Sequence, residues 1–195
     1  AQPLRGQWLR LGRSWQELRS RRAYPPLVEA LVGEAASAAV LLAATLKFDG
    51  TLTLQLAGSG RVRLLVAQCT DDFRLRALAH HDLGEAEVVD FAALVGAGNL
   101  VVTVQSGQSP APYQGVVPLE GASLAACLER YFERSEQLPT RLQLLADARR
   151  AGGMLLQRLP GGVADGAGDG ALLQSTWEEL QVALEQLPPE VLLGA

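Results

Sequence analysis

The chain has 195 residues, 48% of them hydrophobic, 19% charged and 5% aromatic. That apolar share excludes a disordered chain, and the length suffices for one domain with its own core plus an appendage. A formal charge of −4 argues against nucleic acid as a partner, and two cysteines, Cys69 and Cys127, make neither a disulfide framework nor a zinc site alone.

Residues 4–11 (LRGQWLRL) read as a short strand. Ser14-x-x-Glu17 predicts a capping box at a helix start, each side chain satisfying the other's backbone N–H. Pro25-Pro26 ends that helix and opens a second over 26–46, apolar almost all round beyond Glu34. A helix of that kind needs cover on several sides and belongs in the middle of the fold. The longest uncharged apolar run, 35–46, falls short of the roughly 20 residues a bilayer requires, so no membrane partner is expected. Residues 1–24 lack the apolar stretch of a signal peptide.

At residue 51 the hydrophobic period changes from 3.6 to 2. Leu52, Leu54 and Leu56 share one face, Ala57-Gly58-Ser59-Gly60 turns, and RVRLLVAQ (61–68) returns. FRLRAL (73–78) completes a three-stranded meander over 51–78. A helical turn near 90–95 precedes LVVTVQ (100–105), which pairs with YQGVV (113–117) as a hairpin. An amphipathic helix over 123–134 turns Leu124, Cys127, Leu128 and Tyr131 to one side. Strands at 140–146 and 153–159 close a core domain of residues 1–160. Residues 161–170 (GGVADGAGDG) read as a flexible linker before a last helix over 172–187, so 161–195 is an appendage. Runs of strands with helices between the runs predict an α+β fold: mixed β-sheets packed with a central apolar helix, plus a C-terminal helical linker segment. The missing initiator Met and the stop just after Val191-Leu192-Leu193 lead us to expect a piece of a longer chain.

Catalytic signatures are missing: no G-x-S-x-G, P-loop, H-E-x-x-H or C-x-x-C occurs. His80 and His81 are neighbours, which on a strand point to opposite faces and suit one metal poorly. Gly58-Ser59-Gly60 lies between antiparallel strands and reads as a turn rather than a phosphate cradle. Asp165 and Asp169 lack the downstream Glu of a calcium loop. Cys127 reads as a buried small hydrophobe. Cys69, beside Thr70-Asp71-Asp72, reads as nearer a turn and exposed, with acidic neighbours that raise its pKa. Arg61, Arg63, Arg74 and Arg76 suggest an anion- or RNA-binding stripe on a sheet face, against the plainer reading of a solvated surface.

The strings ATLKFDG (44–50), LVGAGNLVVTV (94–104), YQGVVPLEG (113–121), LAACLERYFERSEQLPTRL (124–142) and AGGMLLQRLP (151–160) closely resemble the heat-shock protein 33 family of bacterial chaperones. The resemblance runs through nearly the whole chain from about Leu4, in the family's order. It implies an ATP-independent, redox-regulated holdase of the cytoplasm whose partners are unfolded client proteins. It also implies zinc in the full-length protein, held by a C-terminal module with a C-x-C and a C-x-x-C pair that forms disulfides on oxidation. None of those four cysteines is in this sequence, so no cofactor is expected here and no catalytic or metal-binding residue is assigned.

The candidate client or dimer surface is the last helix. Leu173, Trp177, Leu180, Leu184 and Leu187 recur at spacings of 4, 3, 4 and 3, with Val191 next beyond Pro188-Pro189. A single amphipathic helix on a tether needs a docking place. Three remain open: its own sheet, the sheet of a second copy by exchange to a homodimer, or release that leaves the surface to a client.

Overall fold

The structure, a computed structural model, describes residues 3–46, 48–84, 90–107, 111–160 and 167–194. Two sheets enclose one long helix. β1 (Leu4–Leu11), β7 (Thr140–Ala146) and β8 (Ala151–Arg158) form the small sheet in the order β1-β8-β7. β2 (Gly50–Gly58), β3 (Val62–Thr70), β4 (Leu75–His81), β5 (Gly98–Ser106) and β6 (Tyr113–Pro118) form the large sheet in the order β4-β3-β2-β5-β6. The α+β class stands, but every pairing is antiparallel, so the sheets are not mixed. The meander runs on to His81, and β8 takes the first strand of the chain as its partner.

α1 (Arg13–Arg21) leads into α2 (Pro26–Thr45), whose interior position follows from its composition. Thirteen of its residues are buried, around the whole circumference. It is the one described helix long and apolar enough to cross a membrane, and here its sides are occupied by the two sheets. Small residues permit the approach. A Cβ on Gly33 would run into the Ala146 side chain, and one on Gly153 would sit 3.0 Å from Leu41. Pro26 occupies the first turn, where its missing N–H costs nothing. At the other end, Arg5 Nη1 donates to Thr45 O (3.0 Å), placing a cation on the helix carboxyl end. Arg5 also donates to Gln157 Oε1, and Gln157 Nε2 donates to Thr140 Oγ1 (3.1 Å), a chain of bonds through a buried layer that leaves Arg5 Nε without a partner.

The capping box does not form. Gly12 is the N-cap of α1 without a side-chain bond, Ser14 lies inside the first turn, and Glu17 faces Arg13 at an exposed 3.9 Å. Trp15 sets this phase, because its buried indole donates to Asp147 O (2.8 Å) and anchors the helix two residues early. α3 (Phe91–Val95) is capped by Asp90, whose carboxylate accepts from Ala93 N–H (2.7 Å). α4 (Leu124–Tyr131) buries the expected face and then widens into a π-turn over Phe132–Glu136. Tyrosines occupy both rims of the large sheet. The Tyr24 hydroxyl accepts from the outward Ala79 N–H of β4 (3.0 Å). On β6, the Tyr113 hydroxyl donates to Glu136 (2.8 Å), which Tyr131 also reaches (2.7 Å).

α5 (Ala167–Glu185) begins inside the stretch expected to be linker, and α6 (Pro189–Leu193) follows Pro188. The remaining expected linker, 161–166 with Asp165, lies outside the described residues, as does Lys47 of the ATLKFDG string.

Glu34, half-buried on α2 without a basic partner among the described residues, is pushed up from 4.5 to about 7 by burial. A carboxyl raised in the folded state stabilises fully below its unfolded value, and that contribution is lost as pH rises through 7. Glu34→Gln is therefore expected to raise Tm at pH 8, by the equivalent of about 1–3 kcal/mol, and to change it little at pH 4. Calorimetry at the two pH values checks this; equal effects at both would remove the cause.

Candidate functional site

The predicted helix face docks on its own chain. On the outer side of the small sheet, Trp177 (6% exposed) and Leu184 (5%) pack with Leu156, and Leu180, Leu4 and Met154 border them. Leu173 and Leu187 are half-buried. β8 therefore has cover on both sides, which is why AGGMLLQR carries apolar residues at both parities. Val191 does not continue the stripe. Pro188-Pro189 interrupts the helix and resets its phase, so Leu192 and Leu193 are buried while Val191 is 49% exposed.

Under α5 the fit is polar at one side. An opening of about 510 Å³ is lined by Glu129, Arg141, Gln143, Gln181 and Glu185. Glu129 accepts from Leu142 N–H (2.7 Å) and lies 3.8 Å from Arg141. Burial raises its pKa despite these partners, and the Glu185 charge adds to the rise. Gln143 Nε2 reaches Leu187 O at 3.5 Å, while its Oε1 is buried without a partner. The helix rests on apolar contacts and bridges a weakly satisfied gap.

A second surface escaped the sequence reading. α2 covers the inner face of the large sheet over β2, β3 and β4, and α4 covers it at β6, whereas no side chain on the outer face is buried. The register puts Leu78, Val66, Gln55, Val101 and Val116 in one row across all five strands. Leu78 and Val116 at its ends are 41% and 53% exposed. The next row is polar: Gln68 Nε2 donates to Thr53 Oγ1 (3.0 Å) and Gln114 Nε2 to Thr103 Oγ1 (3.2 Å). The sequence signal was there, as valines and a leucine at outward positions break the alternation of a half-buried sheet.

The other candidates disperse. Arg63 is the extra residue of a β-bulge, and Arg61 and Arg63 both approach Asp82 (3.8 and 3.4 Å). Arg76 lies opposite Gln68, about 17 Å further along the hairpin at ~3.3 Å per residue, and Arg74 is bound to Asp72 at 2.9 Å. The four arginines make two separate ends, not a stripe. Ser59 and Gly60 spend their N–H groups on Ala97 O and Val95 O (2.9 and 3.0 Å), leaving no cradle for phosphate. His80 is exposed on the outer face, while His81 turns toward Tyr24, with ring centroids 5.9 Å apart.

Cys127 is buried as expected; Cys69 is buried too, against the expectation of exposure, because position 69 points inward from β3. Burial, helped by Asp72, pushes the Cys69 thiol up to about 11, and burial raises Cys127. Among the described residues no cluster of three His, Cys, Asp or Glu side chains can hold a metal. The two thiols sit on different elements and do not fit the zinc that the family resemblance implies, so no step is derived through it.

The structure is an α+β fold with two sheet faces that carry apolar residues, one packed under α5 and one whose side chains are not buried. A family model described as Hsp33 protein matches residues 1–193. The 33 kDa chaperonin of Pseudomonas paraeruginosa is 44% identical over 98% of this chain and 63% of that protein. That of Chromobacterium violaceum is 41% identical over the same shares. The crystal structure of a 33 kDa chaperonin from Thermotoga maritima superposes with a TM-score of 0.78 at 28% identity, covering 96% of this chain and 65% of that one. The chain belongs to the Hsp33 protein family. It spans about 63% of the length of these curated relatives.

Neither thiol is expected to react with Ellman's reagent at pH 8 in the native protein, where a group of pKa about 11 is only ~0.1% thiolate. Both should react on unfolding in guanidinium. Rapid native labelling of either would contradict their placement.

Proposed function

We propose that this chain is the client-binding part of an ATP-independent holdase chaperone of the cytoplasm. Residues 1–160 serve as the core and 161–195 as its cover. Its partners are unfolding proteins, bound through apolar sheet surface, rather than nucleic acid or a membrane. The observation that carries the reading is identity of 44% over 98% of the chain to a protein named 33 kDa chaperonin. The uncovered row from Leu78 to Val116 supports it, since such a row offers the non-directional contact that diverse clients share. The scheme requires no nucleotide, and the amides of the Gly58-Ser59-Gly60 turn are already occupied by Ala97 O and Val95 O.

The surface under α5 is the second client face. Leu173, Trp177, Leu180, Leu184 and Leu187 close it, and their release would expose Leu4, Met154 and Leu156. The same stripe seated on a second copy would give a homodimer by exchange without any new contact. Redox control and zinc, which the family resemblance implies, would act from cysteines other than Cys69 and Cys127.

Light scattering of a thermally unfolding test protein decides the matter. Stoichiometric chain in reductant without nucleotide is expected to reduce scattering at least twofold, and peroxide is expected to change that little. Unchanged scattering under both conditions would remove the holdase reading for this chain. A peroxide response abolished by Cys69→Ser would overturn the assignment of redox control elsewhere.

A further inference from the structure

β4 is an edge strand of the large sheet, and α1 lies beside it. Between them is a cavity of about 170 Å³, floored by Trp15, Leu18, Val32, Ala77 and Leu78. The size matches one aliphatic or aromatic side chain, since a cavity of ~150 Å³ holds a benzene ring. The floor offers no free polar side chain: the Trp15 indole N–H is committed to Asp147 O (2.8 Å), and the other four are hydrocarbon.

Cations occupy the rim. Arg19, Arg21 and Arg22 line the same opening, and no carboxylate does. Arg19 is held by Glu29 (2.9 Å). Arg21 and Arg22 are exposed and, among the described residues, have no acidic partner. The Arg22 guanidinium lies 5.3 Å over the Tyr24 ring, which keeps it beside the cavity. One cation in the last turn complements a helix carboxyl end, and Arg19 already supplies it. Two further unpaired charges next to an apolar hole suit an anion that carries a hydrocarbon group.

The backbone adds a third element. Every second residue of an antiparallel edge strand turns its N–H and C=O away from the sheet. The Tyr24 hydroxyl takes the outward N–H of Ala79 (3.0 Å), so Ala77, two positions earlier, presents its own pair beside the cavity it lines.

We propose that this cavity binds the carboxy-terminus of a peptide whose last residue is aliphatic or aromatic. The last side chain fills the space over Trp15 and Leu18, the α-carboxylate meets Arg21 and Arg22, and the last N–H donates to Ala77 O. Charge complementarity selects this occupant, because an internal apolar side chain brings no anion with it. The contact is a single peptide unit, as Tyr24 already occupies the next outward N–H. Leu78 apart, the site lies off the apolar row of the outer face and does not depend on its binding clients.

Titration of the full chain with N-acetyl-glycyl-leucine, followed by two-dimensional NMR, tests it. Shifts are expected at the Trp15 indole and at the Ala77 and Leu78 amides, with Kd about 1 mM, the range that one buried side chain and one charge-assisted contact reach. The uncharged N-acetyl-glycyl-leucinamide, and N-acetyl-glycyl-glycine without the side chain, should each bind at least about tenfold more weakly. Arg21→Gln combined with Arg22→Gln, both at exposed positions, should cost the acid the same factor and leave the amide unaffected. No shifts up to about 20 mM peptide, equal affinity of acid and amide, or shifts centred on Val66 and Val101 instead would overturn the proposal. Equally tight binding of 4-methylpentanoate, which keeps the side chain and carboxylate but has no peptide N–H, would overturn the peptide as occupant. Should the double variant lose its fold, the comparison of acid with amide on the unaltered chain decides.

Discussion

An apolar helix with no polar side cannot sit at a surface, and α2 is such a helix. Burying it requires cover all round, and two sheets supply that cover with their inner faces. Close approach comes from alanines and Gly33, so the sheets meet the helix backbone nearly directly. The first strand must return beside β8 for the small sheet to be wide enough, and Arg5 on that strand seals the end of α2. At the opposite end the Arg19–Glu29 pair (2.9 Å) ties α1 to the start of α2. Removing the helix would leave both inner faces without a partner.

Most local structure was legible because its signals are short-range. Leu52, Leu54 and Leu56 announce a strand, Pro25-Pro26 opens α2, and Pro188-Pro189 stops α5. What escaped depends on residues far apart in the chain. The pairing of β1 with β8 joins Leu4 to Arg158, and no local pattern encodes it. The Ser14 box failed because a tertiary bond from Trp15 to Asp147 outweighed a local cap. Parity decided Cys69: sequence proximity to a turn suggested exposure, yet one strand position inward buries it. The arginines misled through their spacing, since the bulge at Arg63 and the antiparallel return send the two pairs to opposite ends.

The candidate site was half legible. The Leu173–Leu187 stripe marked a helix face that must dock but left its docking place open, because Leu4, Met154 and Leu156 come from two distant strands. The outer row of the large sheet was present in the residues but became a surface only once the strand order was known. Membership in the Hsp33 protein family was carried by long strings such as RSEQLPT, and that string forms the π-turn and its exit into β7. There the shared carboxylate of Glu136 joins two tyrosines, so a recognisable motif coincides with a structural joint rather than with reactive chemistry.

Those tyrosines have a further consequence. A sheet with a sticky outer face and open rims would template its own growth, each molecule adding a strand to the next. Tyr24 occupies an outward N–H of β4, and Tyr113 ties the start of β6 to the turn after α4, while Pro118 ends β6 with a residue that has no N–H to offer. The apolar row thus lies across the face, while both rims carry features that hinder strand addition. A further strand would meet fewer free backbone groups at either edge of the large sheet than its length offers.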